Sequence, residues 1–268
     1  MSSLSQSVLT RLFREAGRPL LMPYAVGGFP DLEGCLAVLR AYRESGADLV
    51  EIGIPFSDPL ADGPVIQGAS QVALRRGVRP KDVLSLAGQA AGEGAKVVLL
   101  CYLNPILAFG PERFFAACRD EGVLGVVVPD LPAEEASGLQ AVAQAEGVDV
   151  ILLAAPTSTD ARLERIAQAA SGFIYCVSTT GVTGARPSLR SDLPEFVARV
   201  RRHTDLPLAV GFGVSTPQQA EEVARYADGV IIGSALVDVV AKSRHLNEAL
   251  AEIKRRLYEV RRMPSLSR

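Results

Sequence analysis

Asp48-Leu49-Val50-Glu51-Ile52-Gly53-Ile54, running into Pro55-Phe56-Ser57-Asp58-Pro59-Leu60-Ala61-Asp62-Gly63-Pro64, decides the fold. The first part is a short apolar run without polar alternation, interrupted only by Glu51. Such a run suits a parallel strand that is covered on both faces. A loop rich in Pro, Asp and Gly follows, and after it a helical pattern begins. The same order recurs along the chain, with further apolar runs at 20–26, 96–102, 124–128, 149–154, 173–178, 208–212 and 229–232.

Between the runs, apolar residues fall at three- and four-residue spacing. Leu36, Leu39 and Tyr42 precede Gly46, Phe114, Phe115 and Cys118 precede Gly122, and Leu139, Val142 and Ala143 precede Gly147. Helices ending at left-handed glycine caps fit this pattern. Thr159-Asp160, Ser191-Asp192 and Thr216-Pro217 read as helix starts. Eight rounds of strand, loop and helix favour a single (β/α)8 barrel, the TIM barrel, of about the usual 250 residues; an open doubly wound sheet fits part of the same pattern. The 268 residues then form one domain. Residues 1–17, with Leu4, Val8, Leu9, Leu12 and Phe13, read as an extra helix closing the barrel bottom, and 263–268 as a frayed tail.

Composition narrows the function. A net charge of −2 gives no broad attraction for nucleic acid or an anionic membrane. The longest apolar runs fall short of the roughly 18 residues of a membrane span, and the opening residues lack an apolar signal core. The expectation is a cytoplasmic protein. Cys35, Cys101, Cys118 and Cys176 lack metal-site spacing and read as small core residues. Lys81, Lys96, Lys242 and Lys254 all lie away from the strand ends where a Schiff base would form. His203 and His245, the only histidines, fall in helical segments, so no metal site is expected.

In this architecture chemistry sits where strands end and loops begin. Glu51 is a carboxylate inside an apolar strand, costly without water or a partner; the bland alternative is a buried ion pair, but nearby strands offer few cations. Asp58 and Asp62 lie in the next loop, where aspartates usually form turns. Either of them, with Glu51, makes a pair of carboxyl groups around one cavity. One can be kept protonated by an apolar wall while the other stays ionised in a wetter loop. Gly181 and Gly184, then Gly211 and Gly213, then Gly233-Ser234 follow three successive runs. Glycines there let backbone N–H groups approach an anion, and a helix starting at Ser234 would add its positive end. Tight turns alone would also use glycine.

Pro23-Tyr24, the stretch Glu51 to Pro64, Tyr102-Leu103-Asn104-Pro105, Pro129-Asp130-Leu131-Pro132, Gly181-Val182-Thr183-Gly184 and Gly211-Phe212-Gly213-Val214 resemble the tryptophan synthase alpha subunit family, in order along the whole chain. The resemblance implies a lyase that splits indole-3-glycerol phosphate into indole and glyceraldehyde 3-phosphate. It implies Glu51 as acid–base and Asp62 at the indole nitrogen. Gly184, Gly213, Gly233 and Ser234 match the phosphate cradle. Tyr24, Leu100, Leu153, Tyr175, Thr183 and Phe212 match the indole walls, with Tyr102 close to the catalytic groups. Pro55, Asp58, Pro59, Asn104 and Pro132 are assigned to the loops facing a partner. That partner is a beta subunit carrying pyridoxal phosphate, in an α2β2 assembly, with no cofactor in this chain. Phe29 and Thr179-Thr180 depart from the family pattern and put local loop contacts in doubt. A metal-type epimerase would want histidines at the strand ends, and indole-glycerol-phosphate synthase would want lysines. A stand-alone lyase and a catalytically silent binding partner stay open.

Overall fold

A computed structural model describes residues 7–177, 191–211 and 213–267. Nine parallel strands form its sheet: β1 Leu20–Val26, β2 Val50–Gly53, β3 Val97–Leu100, β4 Val123–Val127, β5 Asp149–Ile151, β6 Leu153–Ala154, β7 Ile174–Val177, β8 Leu208–Gly211 and β9 Gly229–Ile232. Their order is β5-β4-β3-β2-β1-β9-β8-β7-β6. The two ends of this order are successive pieces of one chain segment, so the sheet closes on itself through Leu152. The expected fifth run, 149–154, is therefore one strand broken at that residue. The Val128 N–H donates to the Ile151 carbonyl at 3.2 Å, and the Tyr175 N–H to the Leu152 carbonyl at 3.1 Å, so bonding continues on both sides of the break.

Closure explains the unalternating runs. In β1, Leu20, Met22, Tyr24 and Val26 face the lumen cluster, while Leu21 and Ala25 belong to the cluster under the helices. Strand side chains alternate faces, and here both faces are dry. The same parity decides Glu51. Leu49 lies in the lumen cluster and Val50 and Ile52 in the outer one, so Glu51 points inward.

The outer layer includes helices α2 (Leu32–Glu44), α10 (Pro217–Ala224), α11 (Ser234–Lys242) and α12 (Leu246–Arg261). The caps behave as read: Thr159 accepts from the Arg162 N–H and Thr216 from the Gln219 N–H, and Gly46, Gly122 and Gly147 have positive φ. His203 follows its helix and His245 is the N-cap of α12; neither is inside a helix. All four cysteines are free and buried.

Helix α1, Val8–Glu15, is capped by Ser7 and lies against the N-terminal ends of the strands. Leu9 and Phe13 enter the lumen cluster, and the Phe13 and Phe173 rings stand 5.3 Å apart. The Thr10 hydroxyl donates to the Gly172 carbonyl at 2.8 Å and the Ser7 hydroxyl to Asp149 at 2.5 Å. Val8, expected on the packing face, is exposed. The expected frayed tail, 263–268, is also corrected over its described residues, 263–267. Leu266 is 0% exposed, and Ser265 donates to Glu221 through both its N–H and its hydroxyl. One apolar side chain with a seat between helices is enough to dock the end.

Candidate active site

Strand β2 carries Glu51 into the lumen, where Tyr24 of β1 and Val98 of β3 are its register partners. Glu51 is 1% exposed, and neither carboxyl oxygen has a hydrogen-bond partner among the described residues. Among the described residues no ion pair compensates it. Burial, and then the neighbouring Asp62, push its pKa from 4.5 up to about 8.

Asp62 reaches the same space from the loop after β2, but its surroundings differ from the wetter loop the sequence suggests. It is 5% exposed, and burial pushes its pKa up to about 7. A hydrogen bond from the Tyr102 hydroxyl offsets part of that rise. Tyr102 also accepts from the Ala61 N–H at 3.0 Å, and Phe56 packs on its ring at 5.3 Å. The Gln67 side chain donates to the Asp62 carbonyl at 2.8 Å. The loop is thus pinned on both sides of its aspartate. Two neighbouring carboxyl groups are thus both pushed toward their protonated forms by burial.

A small cavity of about 30 Å³ opens at the Asp62 end of the lumen. Tyr24, Asp62, Leu100 and Tyr175 line it, together with Gly213, Gly233 and Ser234. Ile66 and Ile231 complete the wall. Sequence reading missed both, because an isoleucine at a strand end or in a first helical turn reads as ordinary core. Leu153 is half-buried against the lumen cluster and does not line the cavity. Gly213 takes the left-handed φ of 101°. Gly233 caps α11, so the first N–H groups of that helix and its positive end lie at one pole of the cavity. Thr183, Gly184, Phe212 and the departing pair Thr179-Thr180 lie outside the described residues. Phe29, the other departure, packs against the lumen cluster.

Two further glycines shape the site. A Cβ on Gly53 would lie 2.1 Å from the Tyr24 hydroxyl, and one on Gly211 would lie 2.2 Å from that of Tyr175. Each tyrosine therefore occupies space that any side chain on the adjacent strand would fill. The mouth of the barrel carries the remaining residues. Asp58 and Asn104 are exposed, Pro59 and Pro132 are half-buried, and Pro55 is buried, which corrects its assignment to a partner-facing surface. Among the described residues no group of three or more His, Cys, Asp or Glu could hold a metal, and no helix is long and apolar enough to cross a membrane.

The sequence model of the family described as tryptophan synthase alpha chain matches residues 11–265. The chain belongs to the tryptophan synthase alpha chain family. The tryptophan synthase alpha chain of Roseiflexus sp. (strain RS-1) is 49% identical over 86% of this chain and 89% of its own. That of Methanopyrus kandleri is 46% identical over 96% and 93%. A solved structure of Mycobacterium tuberculosis tryptophan synthase superposes with a TM-score of 0.87 at 40% identity, covering 95% of this chain and 97% of its own. With tryptophan synthase alpha chain membership comes a lyase activity, the alpha reaction of tryptophan biosynthesis.

Proposed function

We propose that Glu51 and Asp62 cleave indole-3-glycerol phosphate to indole and glyceraldehyde 3-phosphate, with the phosphate held by Gly213, Gly233 and Ser234. One observation carries the assignment: a buried carboxyl group with no hydrogen-bond partner among the described residues, beside a second buried carboxyl that lines a cavity ending at a helix N-terminus. Glu51 donates its proton to indole C3, making the ring an indoleninium. Asp62, ionised, accepts the indole N–H and stabilises the positive charge. The C3–C3′ bond then breaks, and its electron pair restores the aromatic ring. Glu51, now a carboxylate, takes the C3′ hydroxyl proton as the aldehyde forms. Phosphate binding at the far pole keeps C3 and C3′ near the carboxyl groups. Glu51→Gln can neither donate nor accept in this cycle, and should lose on the order of 10²–10⁴ in kcat with KM little changed. Turnover above about a tenth of wild type would refute the assignment.

The chain itself needs no cofactor for these steps. A beta subunit carrying pyridoxal phosphate is the proposed partner, in an α2β2 complex in the cytoplasm. Support comes from the barrel mouth, where Leu60 is 84% exposed beside Asp58 and Pro59, and exposed Leu107 lies on the helix that contains Asn104. Indole release by the chain alone and with a beta subunit tests this. Equal rates, with no complex formed in sedimentation, would favour a stand-alone lyase.

A further inference from the structure

Four residues lead from the cavity wall at Gly213 to the N-cap of α10 at Thr216, and one buried side chain holds their shape. The Gln219 carboxamide oxygen accepts from the Ser215 N–H at 2.8 Å, the Ser215 hydroxyl at 2.9 Å and the Thr216 N–H at 3.2 Å. In return the Gln219 N–H donates to the Thr216 hydroxyl at 3.2 Å. Gln219 is 7% exposed.

A capping box accounts for half of this exchange, the pair between Thr216 and Gln219. It does not account for the bonds to Ser215, which reach one residue upstream of the cap and two residues from Gly213. Val214 between them is buried. The turn is thus fixed at every position: by a left-handed glycine at 213, by burial at 214 and by Gln219 at 215 and 216. Without the carboxamide, the Ser215 N–H would lose its partner and the glycine turn would gain conformational freedom.

We propose that Gln219 is a positioning residue for anion binding: it holds the Gly213 peptide at the cavity wall it shares with Gly233 and Ser234, before the phosphate arrives. The inference rests on the phosphate reading of that pole. A turn already ordered leaves ligand binding free of the entropy cost of ordering it. The effect falls on ground-state binding of the phosphate, remote from the reacting carbon, and so on KM rather than on kcat.

The test uses the full chain and three variants. Gln219→Met keeps the volume and removes the acceptor. Ser215→Ala removes one bond of the three. Thr216→Val removes the cap oxygen that accepts from Gln219 and leaves the Ser215 bonds in place. Steady-state kinetics with indole-3-glycerol phosphate are paired with amide chemical-shift titration by inorganic phosphate and with thermal midpoints. Gln219→Met should raise KM and the phosphate Kd together by about fivefold to tenfold, with kcat held, as expected for losing one or more neutral hydrogen bonds. Ser215→Ala should give roughly a twofold to threefold rise by the same argument, and decides alone if Gln219→Met does not fold. Thr216→Val should lower the thermal midpoint and leave KM where it was. A Gln219→Met chain that loses thermal stability but keeps wild-type KM and phosphate affinity would overturn the positioning role. A rise in KM for Thr216→Val equal to that for Gln219→Met would do the same. Absence of any phosphate-induced shift at Gly213 and Ser234 in the wild type would instead remove the phosphate reading itself, and the inference with it.

Discussion

Glu51→Gln should make the protein more stable as pH rises, in the same step that removes its activity. The wild-type carboxyl group has a folded-state pKa of about 8 against 4.5 for the free side chain, because burial disfavours its charged form. Below about pH 4.5 both folded and unfolded chains carry the proton, and the group has no effect on the balance. Above it the unfolded chain sheds the proton and the folded chain keeps it, so the unfolded state is favoured by about 1.4 kcal/mol for each pH unit. At pH 7 this amounts to roughly 3 kcal/mol, and it levels off on the order of 5 kcal/mol once the folded pKa is passed. Glutamine has no such titration. Its buried amide adds an offset of about 1–3 kcal/mol that does not vary with pH, so the slope carries the information. Urea denaturation of wild type and variant at half-unit steps from pH 4.5 to 8.5 gives the difference directly. The stability gap should tilt toward the variant across that range and flatten above pH 8. A gap that stays flat from pH 5 to 8 would mean that Glu51 is solvated or ionised in the folded chain, and the acid role would fall with it.

Asp62→Asn should lose most of kcat; in the wild type, kcat/KM should rise through about pH 7 as Asp62 ionises and fall through about pH 8 as Glu51 does. Because the two groups interact, these limbs belong to the pair, and a profile flat from pH 6 to 9 would contradict the division of roles. Gly53→Ala should destabilise by about 1–3 kcal/mol through collision with the Tyr24 hydroxyl, and Tyr24→Leu in the same chain should recover part of that loss; additive losses in a double-mutant cycle would show that the two do not meet. Leu266→Ala should cost about 2–4 kcal/mol in denaturant unfolding, whereas a frayed tail would give no change.

Much of the barrel was legible because its strands are dry on both sides. A run such as 20–26 matches β1 residue for residue, since nothing else explains seven consecutive apolar positions. The break at Leu152 left no mark, because it is set by how the sheet closes and not by a glycine or proline. Glu51 stood out for the opposite reason: a carboxylate inside an apolar strand is costly without water or a partner. Asp62 was found but misjudged. A loop aspartate between proline and glycine reads as wet, and its burial comes from Tyr102 on the β3 side and Ile66 on the following helix, neither visible from local sequence. Leu266 failed likewise, as a lone apolar residue among serines whose seat is built by distant helices.

The high pKa of Glu51 depends on residues that never approach the substrate. A barrel lumen open at both ends would admit water from below, and a hydrated carboxyl group would keep an ordinary pKa. Helix α1 prevents this. Phe13 packs on Phe173 and against the start of β9, where a Cβ on Gly229 would lie 2.9 Å from its ring, and Leu9 fills the space over Gly125. Gly125 and Gly229 are small because these side chains come from outside the barrel and need the room. Leu20, Met22 and Leu49 continue the apolar plug up to Glu51. The lumen is therefore dry from the bottom, and the cavity with Asp62 is its opening at the loop end. Desolvation is the largest cause of the shift at both carboxyl groups, and the apolar side chains packed below Glu51 are part of that burial. That burial also assigns the conflict between stability and function to one place. The strands and α1 supply the burial energy, and Glu51 returns part of it at neutral pH as the cost of keeping the proton that the proposed acid step uses.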